Sequence, residues 1–220
     1  MATGRGFYRS LVGKKIVMGV TGLIWVGFVV GHAAGNLLVF RGPEALNSYS
    51  HFLKSTGELL WIVRAVLVVA LVLHVLAAVQ VTRQSRAARP VGYAKQEHQA
   101  ATFASRTMRW GGALLLVFIV LHILHFTTGT VRPAGSFSTT DVYANMVTSF
   151  RIWWVALFYV TSMAALGFHL FHGAWSSVRS IGVSPVSADP LKKKVSLGLA
   201  LFLWLAFTAI PVAIFAGLIG

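Results

Sequence analysis

Five long apolar runs set the terms on which this chain can fold: Ile16 to Phe40, Leu59 to Thr82, Trp110 to Val131, Ile152 to Val178 and Val195 to Ile219. At a rise of about 1.5 Å per residue, each is long enough to cross about 30 Å of hydrocarbon as a helix. The bilayer core offers no water to backbone amides, so each run is expected to be helical, and the alternation expected of a membrane barrel is absent. The expectation is an all-α integral membrane protein with five transmembrane helices, a single membrane domain over residues 1–220 with spans at about 16–40, 59–82, 110–131, 152–178 and 195–219. The first run could be mistaken for a signal peptide. Its span length and its lack of a small-x-small cleavage site predict that it is retained.

Composition narrows the chemistry. The chain is 56% hydrophobic and 11% charged, yet carries a formal charge of +14. That charge lies in short connections between apolar runs rather than on a solvated face with interleaved aromatics, which argues against nucleic acid as a partner. Cysteine is absent, so disulfides, thiolate-held iron–sulfur clusters and a covalently attached c-type haem are excluded within this chain. Any metal must be held by nitrogen or oxygen. The only carboxylates are Glu44, Glu58, Glu97, Asp141 and Asp189, too few and too scattered for paired-acid hydrolysis.

Lysine and arginine set the expected orientation. One side would hold Arg5, Arg9, Lys14, Lys15, Arg83, Arg86, Arg89, Lys95, Arg106, Arg109, Arg179 and Lys192 to Lys194, fourteen in all, against Arg41, Lys54, Arg64, Arg132 and Arg151 on the other. This predicts a cytoplasmic N-terminus and an outside C-terminus in a bacterial cytoplasmic (inner) membrane. The basic stretches RQSRAARP and DPLKKK suit anionic membrane lipid or an acidic soluble partner. The outer connections, including PEALNSYSHFLKSTGE, read as interfacial helices.

Six of the eight histidines, His32, His74, His122, His125, His169 and His172, lie inside the runs. A single imidazole there could simply hydrogen-bond a neighbouring helix, but six across four spans point to a function. Counted from the basic ends of the runs, His32, His122 and His125 lie about 20–24 Å deep, whereas His74, His169 and His172 lie about 9–14 Å deep. Each layer draws on two spans running in the same direction, first with third and second with fourth. The first four spans would thus form a bundle able to hold two bis-histidine haems. The pairs His122/His125 and His169/His172 are each three residues apart on one helix face, and spacing alone does not say which member binds iron. Gly27, Gly31 and Gly35 beside His32 offer a slim helix surface for a macrocycle or for plain helix packing. The fifth span, which has Pro211 and no histidine, reads as packing support.

Four stretches, SLVGKKIVMGVTGL, GHAAGNLLVF around His32, LHILHFTTG around His122 and GFHLFHGAWSSVRSIG around His172, resemble the single-chain, five-span cytochrome b membrane anchor of bacterial succinate dehydrogenase and fumarate reductase, respiratory complex II. The resemblance implies two haem b groups. His32 and His122 would hold the outer one, and His74 and His172 the inner one, leaving His125 and His169 to support them. It also implies a flavoprotein subunit with FAD and an iron–sulfur subunit as partners, which would carry the succinate chemistry. Electrons would pass through the haems to a quinone, commonly menaquinone, near the outer surface. The connection VRPAGSFSTTDVYANMVTSFR is longer than a minimal member needs and has no assigned motif.

Quinone chemistry needs proton-exchanging groups near an apolar slot. Candidates are Glu44, Tyr49, His51, Glu58 and His125. Arg64 is a candidate for an outer propionate, and Arg106, Arg109 and Arg179 for inner ones, with snorkelling to the interface as the alternative. Two rival readings are a dihaem cytochrome b of another quinone-linked complex, serving a hydrogenase or a formate dehydrogenase, and a haemless transporter with a histidine proton relay. The transporter reading lacks acids inside the runs. Working direction and assembly into a higher oligomer stay open.

Overall fold

A computed structural model describes residues 4–88, 103–183 and 185–220, and among these all the regular structure is helical, with no strand. Arg89, Lys95, Glu97 and His98 lie outside the described residues, as do most of RQSRAARP's continuation toward the third span and the side chain of Arg5. A short helix α1 (Gly4–Arg9) leads into α2 (Leu11–Asn36), which Ser10 starts by accepting a hydrogen bond at Oγ from the Gly13 amide, 2.9 Å away. Then follow α3 (Pro43–Ser55), α4 (Glu58–Ala87), α5 (Phe103–His122), α6 (Val142–Phe150), α7 (Trp153–Ile181) and α8 (Asp189–Phe215). Five helical stretches, built on α2, α4, α5, α7 and α8, are long and apolar enough to cross a membrane. The chain is a multi-pass, all-helical membrane protein.

Helix ends differ from the ends of the apolar runs. α4 continues to Ala87, α5 already begins at Phe103, and α8 begins at Asp189. Hydrophobicity marks only the part inside lipid. Lysine, arginine and glutamine are good helix formers that continue the helix into the headgroups. The third span stops earlier than the run suggested. After His122 the helix widens into a π-helical turn, Ile123–Thr127, closed by the Thr128 amide on the Ile123 carbonyl at 3.0 Å. Gly129, at φ +63°, then turns the chain, and a Cβ there would overlap the ring of Phe137.

Packing is uneven around the bundle. α2 packs on α4 and on α7, α5 packs on α7, and α8 packs mainly on α7 with a smaller contact to α2. The four histidine-bearing helices thus follow the spatial order α4, α2, α7, α5, and among the described residues α4 and α5 do not pack closely on each other. The exposed face of α4, with Trp61, Ile62, Val68, Val69 and Val72, suits lipid. One apolar core, with Leu203, Leu170 and Ala33, joins α2, α7 and α8.

A second core closes the end opposite the basic one. There Val39, Leu46, Met146, Val147, Phe150, Val155, Tyr159, Ile210 and Ile214 pack together. Both long connections at that end fold into it, as α3 and α6. Asp141 caps α6 by accepting from the Ala144 amide at 2.9 Å, and it also accepts from Asn47 Nδ2 at 2.9 Å. Asn47 returns the link by accepting from the Tyr143 amide at 3.0 Å. Lys54 on α3 donates to the Thr139 carbonyl. The unassigned connection is therefore an anchored plug, with Asn145, Met146, Val147, Ser149 and Phe150 buried.

Candidate functional site

The histidines form two facing pairs at different depths. Nearer the plugged end, His32 and His122 have ring centres 5.9 Å apart with planes at 85°. Nearer the basic end, His74 and His169 have ring centres 6.2 Å apart with planes at 57°. Two imidazoles sharing one metal ion, at about 2 Å per metal–nitrogen bond, hold their ring centres about 6 Å apart.

In the inner pair, the ring that faces His74 is that of His169. His172 stands edge-on to Trp175 at 5.5 Å and makes no ring contact with His74 among the described residues. Measured from the observed helix ends, His74 lies about 20 Å from Ala87 and His169 about 18 Å from Ile181, while His172 is only about 14 Å in. The placement of His172 thus differs from what the resemblance implied. His169 and His172 lie three residues apart on α7, and it is the rotation of that helix that turns the ring of His169 toward His74.

Two of the four rings, His74 and His122, have a hydrogen-bond partner behind them. His74 Nδ1 lies 3.0 Å from the Met18 carbonyl and 3.3 Å from Thr21 Oγ1. The Thr21 hydroxyl itself donates to the Val17 carbonyl at 2.8 Å, so the Nδ1–H of His74 is the donor toward α2. That leaves Nε2 as the bare lone pair, the form a metal-ligating histidine adopts. His122 Nδ1 lies 3.4 Å from Tyr159 Oη. His32 is stacked on Phe28 at 5.2 Å and touches Phe207 of α8 at 5.9 Å. The fifth span thus reaches the site. The ring of His32 has no hydrogen-bond partner among the described residues, and His169 Nδ1 is buried with none.

Glycine lets neighbouring helices come close to these rings. A Cβ on Gly22 would stand 3.3 Å from His74 Cε1, and one on Gly112 would stand 3.6 Å from His169 Cε1. Of the glycine row noted in the sequence, Gly27 and Gly31 have open space beside them, whereas Gly35 is covered by the ring of Tyr49. An apolar cavity of about 240 Å³ between α5 and α7, lined by Phe103, Met108, Gly111, Leu114 and Phe168, reaches His169. Facing imidazoles, a fixed tautomer, an orphaned buried nitrogen and unfilled space beside glycines together fit a planar, metal-bearing macrocycle.

His125 is different. Both of its ring nitrogens are engaged, Nδ1 with Tyr159 Oη at 3.0 Å and Nε2 with Ser149 Oγ at 2.9 Å, and it is buried. It has no lone pair to spare for iron or for a quinone. Glu44, His51 and Glu58 are exposed at the plugged end, and Tyr49 lies against Gly35. Arg64 sits over the ring of Trp61 at 4.9 Å. At the basic end Arg106 and Arg109 are exposed, and Arg179 pairs with Asp189 at 3.3 Å, which Lys192 also meets at 2.6 Å. Sequence reading missed Gly22, Gly112, Thr21, Ser149 and Tyr159. Only the first two carried a signal, as small residues in otherwise bulky runs.

No family model matches the sequence, and no solved structure matches it. Among curated proteins, the chain is 24% identical over 197 residues to the succinate dehydrogenase cytochrome b558 subunit of Bacillus subtilis (strain 168). The alignment takes in 89% of this chain and 91% of that protein. Along most of its length, then, this chain is similar to a succinate dehydrogenase cytochrome b subunit, the kind of protein its own motifs resemble.

Proposed function

We propose that this chain is the dihaem cytochrome b membrane anchor of a succinate:quinone oxidoreductase, carrying electrons between an iron–sulfur subunit and membrane menaquinone. The observation that carries the reading is the pair of facing imidazole couples at two depths, His32 with His122 and His74 with His169. His169 replaces His172 as the inner ligand. Bound haem supplies one-electron chemistry, with its potential set by axial ligands, hydrogen bonding and burial.

The chain's own residues bind and orient. The Met18 carbonyl holds His74 in the ligating tautomer, and Gly22 and Gly112 keep helix surfaces low beside the inner pair. The apolar faces of α2, α5 and α7 exclude water. At the basic end, Arg106 and Arg109 are exposed and would meet propionates or the acidic surface of a partner, whereas Arg179 is engaged by Asp189. That end would face the cytoplasm, where a flavoprotein with FAD and an iron–sulfur subunit would dock; those partners, not this chain, would handle succinate. At the plugged end Glu44, His51 and Glu58 would exchange protons with a quinone.

The test is haem quantification by pyridine haemochrome on the purified complex. Two haems per chain, with reduced b-type bands, support the proposal. One haem or none sinks it.

A further inference from the structure

Four side chains from three helices form one hydrogen-bonded line behind His122. Tyr159 Oη on α7 meets His122 Nδ1 at 3.4 Å and His125 Nδ1 at 3.0 Å, and His125 Nε2 meets Ser149 Oγ on α6 at 2.9 Å. Tyr159, His125 and Ser149 are buried, and the rings of Phe118, Phe126 and Phe150 enclose them. The π-helical turn after His122 lies at this point, and such turns often mark functional positions.

Counting protons gives the line a direction. If His122 uses Nε2 as a ligand, its Nδ1 carries the proton and donates to Tyr159. Tyr159 has one proton, which goes to His125 Nδ1, so the proton of His125 sits on Nε2 and goes to Ser149. Both imidazole N–H groups and the phenol O–H then have an acceptor. A hydroxyl that is itself donating is a better acceptor, because hydrogen bonds in a chain polarise one another. The effect reaches the ligand, since a stronger acceptor behind Nδ1 makes the imidazole more basic.

We infer that Tyr159, His125 and Ser149 act as a positioning relay that fixes the tautomer and ring plane of His122 and lowers the potential of the outer haem, with α6 serving to deliver Ser149. The inference rests on the ligand role proposed above for His122. It also makes the two centres unlike one another. His74 leans on a main-chain carbonyl that no side-chain substitution removes, whereas His122 leans on side chains anchored by the plug. The long connection between α5 and α7 thereby gains a purpose.

The experiment is a redox titration of both b-type centres in the purified complex, with electron paramagnetic resonance of the oxidised haems. The outer signal is identified as the one that His32→Ala removes. Tyr159→Phe is expected to raise the outer midpoint potential and alter the outer haem's g values while the inner centre stays fixed. Ser149→Ala, a smaller change at the far end of the line, is expected to shift the outer potential in the same direction by less. Unmoved outer potentials in both variants overturn the inference, as does loss of the outer haem in Tyr159→Phe with Ser149→Ala unmoved. His122→Ala, measured in parallel, separates the two levels of argument: retention of both haems there overturns the ligand reading itself.

Discussion

The Nδ1 atom of His74 lies 3.0 Å from the carbonyl oxygen of Met18 on the neighbouring helix. A backbone carbonyl can only accept, so the ring must donate there and keep the lone pair on its other nitrogen, with the ring of His169 6.2 Å away centre to centre. The tautomer of His74 is therefore set by main chain, not by side-chain choice.

The two candidate inner ligands on α7 are separable by substitution. His74→Ala and His169→Ala should each reduce haem content from two per chain to one and remove the same absorption band. His172→Ala, beside Trp175, should retain both haems. Haem quantification on the three purified variants checks this, and loss of the inner haem from His172→Ala alone would restore the assignment that the motifs implied.

Gly22 should tolerate no side chain. A Cβ there would press on His74 Cε1 from 3.3 Å, and the ring cannot retreat without stretching its bond to Met18. Overpacking of this kind costs about 1–3 kcal/mol. Gly22→Ala is expected to lower inner haem occupancy or broaden its band, while Gly27→Ala, where a Cβ meets open space, leaves both spectra unchanged.

Gly35 and Tyr49 should be coupled. A Cβ on Gly35 would overlap the Tyr49 ring, so Gly35→Ala must displace α3 from its seat. The expected result is a lower melting temperature and faster proteolysis of the 42–57 connection. Adding Tyr49→Ser should recover most of the loss, a non-additivity that a double-mutant cycle reads directly.

Asp141 should make the plug acid-sensitive. The Ala144 amide and the Asn47 side-chain amide hold its carboxyl below the usual carboxylate range. A folded-state pKa that is depressed contributes stability in full above the unfolded value of about 3.9, and that contribution is lost as the pH falls through the folded value. Thermal melts of the wild type in detergent should therefore fall on acidification below about pH 4. Asp141→Asn should start lower and lack this component of the pH dependence.

Much of the architecture is legible in the sequence because lipid leaves few choices. Apolar runs of span length must be helices, and the five observed helices occupy the five runs. The sorting of histidines by depth also follows from linear counting. Pairing within a layer does not. His169 and His172 differ by less than one turn, and only the rotation of α7 in the folded bundle puts the ring of His169 opposite His74. His125 looked like a second ligand candidate by spacing, but contacts from two other helices consume both of its nitrogens.

The residues by themselves determined that the chain has five runs fit to cross a membrane, that nitrogen or oxygen must serve any metal, and that imidazoles gather in two layers. These are consequences of burial cost and of helical rise, which act along the chain. Tertiary structure decided which rings face each other, that α4 and α5 do not pack closely on each other among the described residues, and that a motifless connection returns as a buried plug behind His122. Those are settled by helix rotation and by cross-helix hydrogen bonds such as those of Tyr159, and neither is recorded in the spacing of residues along any one helix.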